Sequence, residues 1–213
     1  MGRRPGAYPL GNDVVGPAMS MSTAEPVDRE TLPAGPLLDL LDYWTRRRGA
    51  DLPPLSAIEP AEVPAALLRH LAVITARLPD GRFPEGRFKV LFTGSVPVMF
   101  GGSDPTGRFV DEIYAPAAYE AGAAFFDLVV SKREPVFADD EIGSADGADT
   151  RAVYRVRRLA VPFAGADGGV AAIAFAMTYQ PLEAGGRLQF LREASARLVS
   201  RSLHPVAVEA VTP

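Results

Sequence analysis

Three strand-like stretches follow one another at 135–142, 151–163 and 170–179, separated by a polar loop at 143–150 and a turn at 165–169. Strands linked by such short connections pair as antiparallel neighbours, because a parallel pair needs a crossover of about a dozen residues or more. The third stretch has two unlike faces. Ile173, Phe175, Met177 and Tyr179 are large, while the alternate Ala172, Ala174 and Ala176 are small. Two further strands are predicted upstream. Residues 70–77 carry Val73, Ile74 and Thr75, and 87–93 alternate Phe88, Val90 and Phe92 against Arg87, Lys89 and Leu91. Pro79-Asp80-Gly81 marks a turn between them, so they read as a hairpin with a long loop. An irregular stretch at 94–111 leads into a helical pattern at 115–132, with Tyr119, Phe125, Phe126 and Val129 at helical spacing. Runs of strands on either side of a helical block predict an α+β fold with an antiparallel sheet.

The flanks read as helices. At 33–48, Leu37, Leu40, Leu41 and Trp44 fall at i, i+3, i+4 and i+7, and Gly49 stops the pattern. A Pro-rich connector at 52–57 precedes a short helix near 65–68, entered through Pro60. Pro181 is expected to open a C-terminal helix at 181–204, with Leu188, Leu191 and Leu198 on one side and Arg192, Glu193, Arg197 and Arg201 on the other. His204-Pro205 would end it, placing an imidazole at the negative end of the helix dipole. Residues 1–32, rich in Gly, Pro, Ser and Thr, are expected to form a disordered leader, and 205–213 a loose tail. The domain proper is 33–180.

Composition removes several chemistries. The 213 residues include no Cys, which excludes disulfides, thiolate zinc sites, iron–sulfur clusters and a Cys nucleophile. The two histidines, His70 and His204, are too few for a three-His metal site, so no metal is expected. A net charge of −4 argues against a nucleic-acid footprint. The cations are 20 Arg and two Lys (Lys89 and Lys132), a bias typical of a GC-rich bacterial genome. No apolar run approaches the roughly 20 residues of a membrane helix, and the N-terminus has no apolar signal core; a cytoplasmic protein is expected. Gly-rich phosphate loops, G-x-S-x-G and H-E-x-x-H are absent from the sequence, so no enzyme is predicted.

The element order, helix, two strands, helical middle, three strands, is that of a PAS domain, and local sequence narrows the likeness. Leu40-Leu41-Asp42-Tyr43-Trp44, Leu52-Pro53-Pro54, Ile58-Glu59-Pro60 and Leu67-Leu68-Arg69-His70-Leu71 come first. Phe92-Thr93-Gly94-Ser95, Phe100-Gly101 and Asp104-Pro105-Thr106-Gly107-Arg108 follow, completed by Phe109, Asp111 and Glu112. Tyr154-Arg155, Leu159, Val161-Pro162-Phe163 and Asp167-Gly168-Gly169 close the set. Over about 36–180 the chain resembles the stand-alone PAS-like family widespread in alphaproteobacteria, the Thr-Gly-Arg block being the most specific part. The resemblance implies a PAS fold: a five-stranded antiparallel sheet with helices on one face, flanked by N- and C-terminal helices. It also implies a signal-input or interaction role, with small molecules held between sheet and helices and dimerisation through the flanking helices.

Each singled-out group has two readings. Arg108 offers a planar fork for a carboxylate or phosphate ligand, or an internal pair with Asp111 or Glu112. Gly107 is expected at positive φ, with Asp104 or Thr106 capping the turn. The aromatic set Phe92, Phe100, Phe109, Tyr114, Tyr119, Phe125, Phe126, Phe175 and Tyr179 lines a cavity or packs as core. The alanine face of 170–179 either borders that cavity or receives the N-terminal helix. His70 reads as a core or surface residue. Arg155 and Arg157 share one strand face and Arg158 the other; with Arg151 they form an anion site or pair with Asp139, Asp140 and Glu141 next door.

The expectation is therefore a cytoplasmic PAS-type sensor or adaptor, binding a small molecule or a separate signalling protein and dimerising. Ligand residues would be Phe92, Met99, Phe100, Arg108, Tyr114, Tyr119, Phe126 and Phe175, and interface residues Leu37, Leu41, Trp44, Leu191 and Leu198. Cysteinyl flavin and thioester-linked chromophores lack their Cys, and haem lacks a His on 115–132. The alternative is a ligand-free module with a filled core that docks on a kinase or regulator.

Overall fold

The computed structural model describes residues 25–59, 61–76, 87–114, 116–144, 152–182 and 196–208. A 3-10 turn (Arg29–Thr31) leads to α1 (Pro36–Arg47), a second 3-10 turn (Leu55–Ala57) and α2 (Ala65–Leu68). Strands β1 (Leu71–Thr75) and β2 (Val90–Thr93) follow, then α3 (Ser95–Gly101), a 3-10 turn (Val110–Glu112) and α4 (Pro116–Lys132). The chain continues through β3 (Val136–Ser144), β4 (Ala152–Ala164), β5 (Val170–Pro181) and β6 (Ala196–Pro205). All six strands form one sheet in the order β2-β1-β5-β4-β3-β6, each neighbour antiparallel.

The α+β class and the antiparallel sheet follow the sequence reading; the strand number and the helix placement do not. Helices cover both faces, not one. Ala172, Ala174 and Ala176 lie under α1, in a cluster with Leu37, Leu40, Leu41 and Trp44. Their methyl groups let the helix sit close enough for the Trp44 indole N–H to donate to the Pro162 carbonyl at 2.7 Å. The opposite face of β5, Ile173, Phe175 and Met177, packs with Phe125, Phe126 and Val129 of α4. Strand alternation thus separates two cores, and the difference in side-chain size on β5 sets which helix goes where.

The expected C-terminal helix at 181–204 is replaced by strand. Pro181 ends β5, 183–195 lie outside the described residues, and 196–205 pair along β3. Val199, Ser200 and Ser202 are indifferent helix formers, and β3 would otherwise present an open edge. The ladder satisfies that edge and carries Leu203 into the α4-side core. His204 accordingly sits on a strand, its Nδ1 3.3 Å from the Glu25 carbonyl, with no helix dipole to meet.

The leader and the tail also differ from expectation where they are described. Val27 bridges to Val206, its N–H donating to the Pro205 carbonyl and its own carbonyl accepting from Ala207. Leu32 and Val206 are both buried. Two apolar anchors in a Gly/Pro/Ser-rich stretch were invisible to a periodicity reading. Residues 1–24 and 209–213 lie outside the described residues.

A β-bulge corrects one further assignment. Val73 pairs with Phe92 but Ile74 with Val90, so Leu91 is the extra residue. Val90 joins the α4-side core and Phe92 packs on the α1 side. Just beyond, Gly94 is buried where α2 ends; a Cβ there would stand 2.3 Å from the Leu68 carbonyl oxygen and 2.6 Å from that of Arg69. Both obstacles are backbone, which cannot swing aside. Gly94→Ala is expected to destabilise by about 1–3 kcal/mol, the range for overpacking, as read from the urea midpoint at unchanged m-value; a midpoint equal to the parent's would mean that α2 and β2 separate easily.

Candidate functional site

The Thr-Gly-Arg block closes the free edge of β2. Gly107 donates to the Val90 carbonyl at 2.8 Å, and Val90 donates to the Arg108 carbonyl at 2.9 Å. Gly107 has φ +85°, which glycine tolerates best. The Asp104 carboxylate accepts from the Thr106 N–H at 2.9 Å and its hydroxyl at 2.6 Å, and these bonds hold its pKa below the usual carboxylate value. Arg108 is exposed and donates to the Glu112 carbonyl at 2.7 Å. The ion pairs with Asp111 and Glu112 come from Arg87 instead, at 2.7 and 2.8 Å, with its guanidinium 3.9 Å from the Phe109 ring centre. Arg108 thus faces away from the aromatic core, and the loop reads as edge-closing structure.

The other expected ligand residues do not share one surface. Phe92 lies on the α1 side because of the bulge. Phe126 and Phe175 are buried on the α4 side, their ring centres 5.2 Å apart, and Phe88 stands 5.2 Å from Phe126. Tyr119 packs against the same cluster. Phe100 stacks on Tyr179 at 3.6 Å, while its neighbour Met99 is 55% exposed and Tyr114 56%. Leu37, Leu41 and Trp44 are buried under their own sheet, so this face of α1 is closed to a second copy. Leu198 is half-buried on β6, and Leu191 lies outside the described residues. A cleft of about 280 Å³ lies elsewhere, bordered by Pro26, Arg48, Glu134 and Val206, and none of the expected ligand residues lines it.

The most unusual chemistry sits on the α4 side, at three residues from three adjacent strands. Asp140 of β3 is fully buried. The Arg201 guanidinium grips its carboxylate through Nε at 2.7 Å and Nη2 at 2.9 Å, and Arg158 of β4 donates to the same carboxylate. Arg201 also donates to the Ala121 carbonyl of α4, tying β6 to the helix. Among the described residues, two guanidiniums face one carboxylate, leaving one surplus positive charge largely removed from water. Burial pushes Arg158 down to about 10, aided by repulsion from Arg201, and pushes Arg201 down to about 10 as well. The Arg158 Nε is buried with no hydrogen-bond partner among the described residues. Its guanidinium lies 5.4 Å from the Phe125 ring centre. The Tyr179 hydroxyl donates to the Met177 sulfur, and burial raises its pKa. Desolvation raises the pKa of the Tyr114 hydroxyl, although solvent reaches its ring.

Sequence reasoning put Arg155 and Arg157 on one strand face and Arg158 on the other, either as an anion site or paired with a solvated acidic run at 139–141. The register keeps that division, and burial separates the two sides further. Arg155 and Arg157 meet Asp139 at 2.9 and 3.2 Å on the partly exposed α1 side, whereas Arg158 and Asp140 meet in the core. Arg201 was assigned to the polar side of a helix. Placing the acidic run and 196–205 as adjacent antiparallel strands would have brought Asp140 and Arg201 together.

No family model matches the chain, and no curated protein matches it. Among solved structures it is similar to the PAS domain of BvgS from Bordetella pertussis, at 16% sequence identity and a TM-score of 0.38, over 54% of this chain and 77% of that one. Among the described residues, no helix is long and apolar enough to cross a membrane.

Proposed function

We propose that the chain is a PAS-type signal-input module, acting in the cytoplasm on a separate signalling partner. Support comes from the element order: two strands, a helical block and then four strands in a single antiparallel sheet, one strand more than the five that the sequence resemblance implies. On this reading the input site is the α4 side of β3 and β4, around buried Asp140 and its two arginines, Arg158 and Arg201. An unmatched buried charge is costly in an empty fold, and a ligand of opposite charge would offset it. Occupancy would be felt by β6 and α4 through Arg201, which touches both Asp140 and Ala121.

A second reading, a ligand-free docking module, draws on the tight ring packing of Phe88, Phe125, Phe126 and Phe175, which leaves that part of the core filled. Native mass spectrometry of the freshly purified full chain separates the two. Under the input reading, a non-covalent adduct is present, vanishes on denaturation, and is lost in Arg158→Met. A native mass equal to the bare chain or its multiples in every preparation, with no small molecule raising the melting temperature, would leave docking as the function. The same spectrum reads whether the unit is a homodimer.

A further inference from the structure

We propose that the outer edge of β6 is a docking strip for this chain's own upstream segment, residues 18–24, which adds to the sheet there as a parallel strand. β6 ends the sheet order, so one of its sides pairs with β3 and the other is an edge. Val206 donates to the Pro135 carbonyl on the β3 side at 2.9 Å, while the Pro205 carbonyl and the Ala207 N–H turn outward. Alternation along the ladder turns the N–H and C=O of Leu203 and Arg201 outward as well. Among the described residues, no strand pairs with them on that side. Unpaired backbone groups along an edge are a template for another strand. The upstream chain already enters on this edge. Val27 donates to Pro205 at 2.9 Å and accepts from Ala207 at 3.0 Å, forming a parallel bridge with Val206. In the same register the Glu25 carbonyl stands 3.3 Å from the His204 Nδ1, where Pro205 has no N–H to offer it. Carried further, this register sets Thr23 against Ser202 and Met21 against Ser200. Residue size follows the same alternation. Val27 and Val206 pack on the α1 side and Leu203 on the α4 side, so odd-numbered upstream positions belong to the α1 side. Met19, Met21 and Thr23 are the larger residues, while Ser20, Ser22 and Ala24 are small. Small side chains suit the α4 side, where Arg201 reaches the Ala121 carbonyl of the helix. A partner that adds a strand to this edge would first have to displace the segment.

Residue-resolved amide hydrogen exchange of the full chain tests the placement. The Leu203 and Arg201 amides are expected to exchange about a hundredfold more slowly than amides of an unstructured chain. Met21→Pro combined with Thr23→Pro removes the two N–H groups that would donate to β6. That variant is expected to speed exchange at Leu203 and Arg201 by about tenfold or more. The Ser202 and His204 amides face β3 and should keep their parental protection, which reports that the sheet itself is still folded. Unprotected Leu203 and Arg201 amides in the parent overturn the proposal. So does protection that survives both prolines; if that protection falls on dilution, a second copy of the chain occupies the edge instead.

Discussion

Asp140→Asn is expected to destabilise the protein by about 3–5 kcal/mol, the usual effect of removing one partner from a buried ion pair. Asp140 is fully buried and accepts from both Arg158 and Arg201, whose side chains are 17% and 6% exposed. The neutral amide leaves two desolvated guanidiniums facing each other across an acceptor of half the capacity. Urea unfolding followed by circular dichroism would read the loss as a lower midpoint at constant slope. The reverse experiment is as informative. Replacing all three, Asp140→Leu with Arg158→Met and Arg201→Leu, should return most of the stability, since well-packed apolar side chains replace buried ionic groups at little cost. Arg158→Met alone should be close to neutral, because it removes the surplus charge and leaves a one-to-one pair. An Asp140→Asn protein within about 1 kcal/mol of the parent would mean that water reaches the cluster.

Trp44→Ala is expected to lose about 3–5 kcal/mol, the range for emptying a large aromatic from a core. The indole is fully buried between α1 and the alanine face of β5, and it alone holds α1 to β4 by a side-chain hydrogen bond among those described. Trp44→Phe keeps most of the contact area and should lose far less. Trp44 is the chain's single tryptophan, so unfolding is best followed by circular dichroism rather than fluorescence. This prediction also separates two roles for α1. A helix that served a dimer through Leu37, Leu41 and Trp44 would respond to Trp44→Ala with a change of oligomeric state and little change of stability. The burial of all three under their own sheet predicts the opposite.

Much of the scaffold was readable because its signals are local. The strand periods of β3, β4 and β5, the helical spacing of α4 and the Leu-Leu-Trp face of α1 depend only on neighbours within a few positions. The unlike faces of β5 even indicated which side a helix could approach, since small side chains permit close packing whatever the partner. The Thr-Gly-Arg turn was legible for the same reason: positive φ at Gly107 and the Asp104–Thr106 capping are short-range chemistry.

What failed to show in the sequence was long-range. A Leu/Arg pattern at 188–201 fits a helix by itself, and only the waiting edge of β3 makes 196–205 a strand. The bulge at Leu91 turns Phe92 away from Phe126 and Phe175, and no composition rule announces it. The candidate site illustrates the division most clearly. Sequence alone determined that acidic residues at 139–141 and arginines at 155–158 lie on consecutive strands, with Arg158 on the face opposite to Arg155 and Arg157. Tertiary structure decided that Asp140 would be the buried one, that a third strand would bring Arg201 to it, and that α4 would close over the group. The charge of a side chain is a property of the residue, but its desolvation, and hence its chemistry, is a property of everything packed around it.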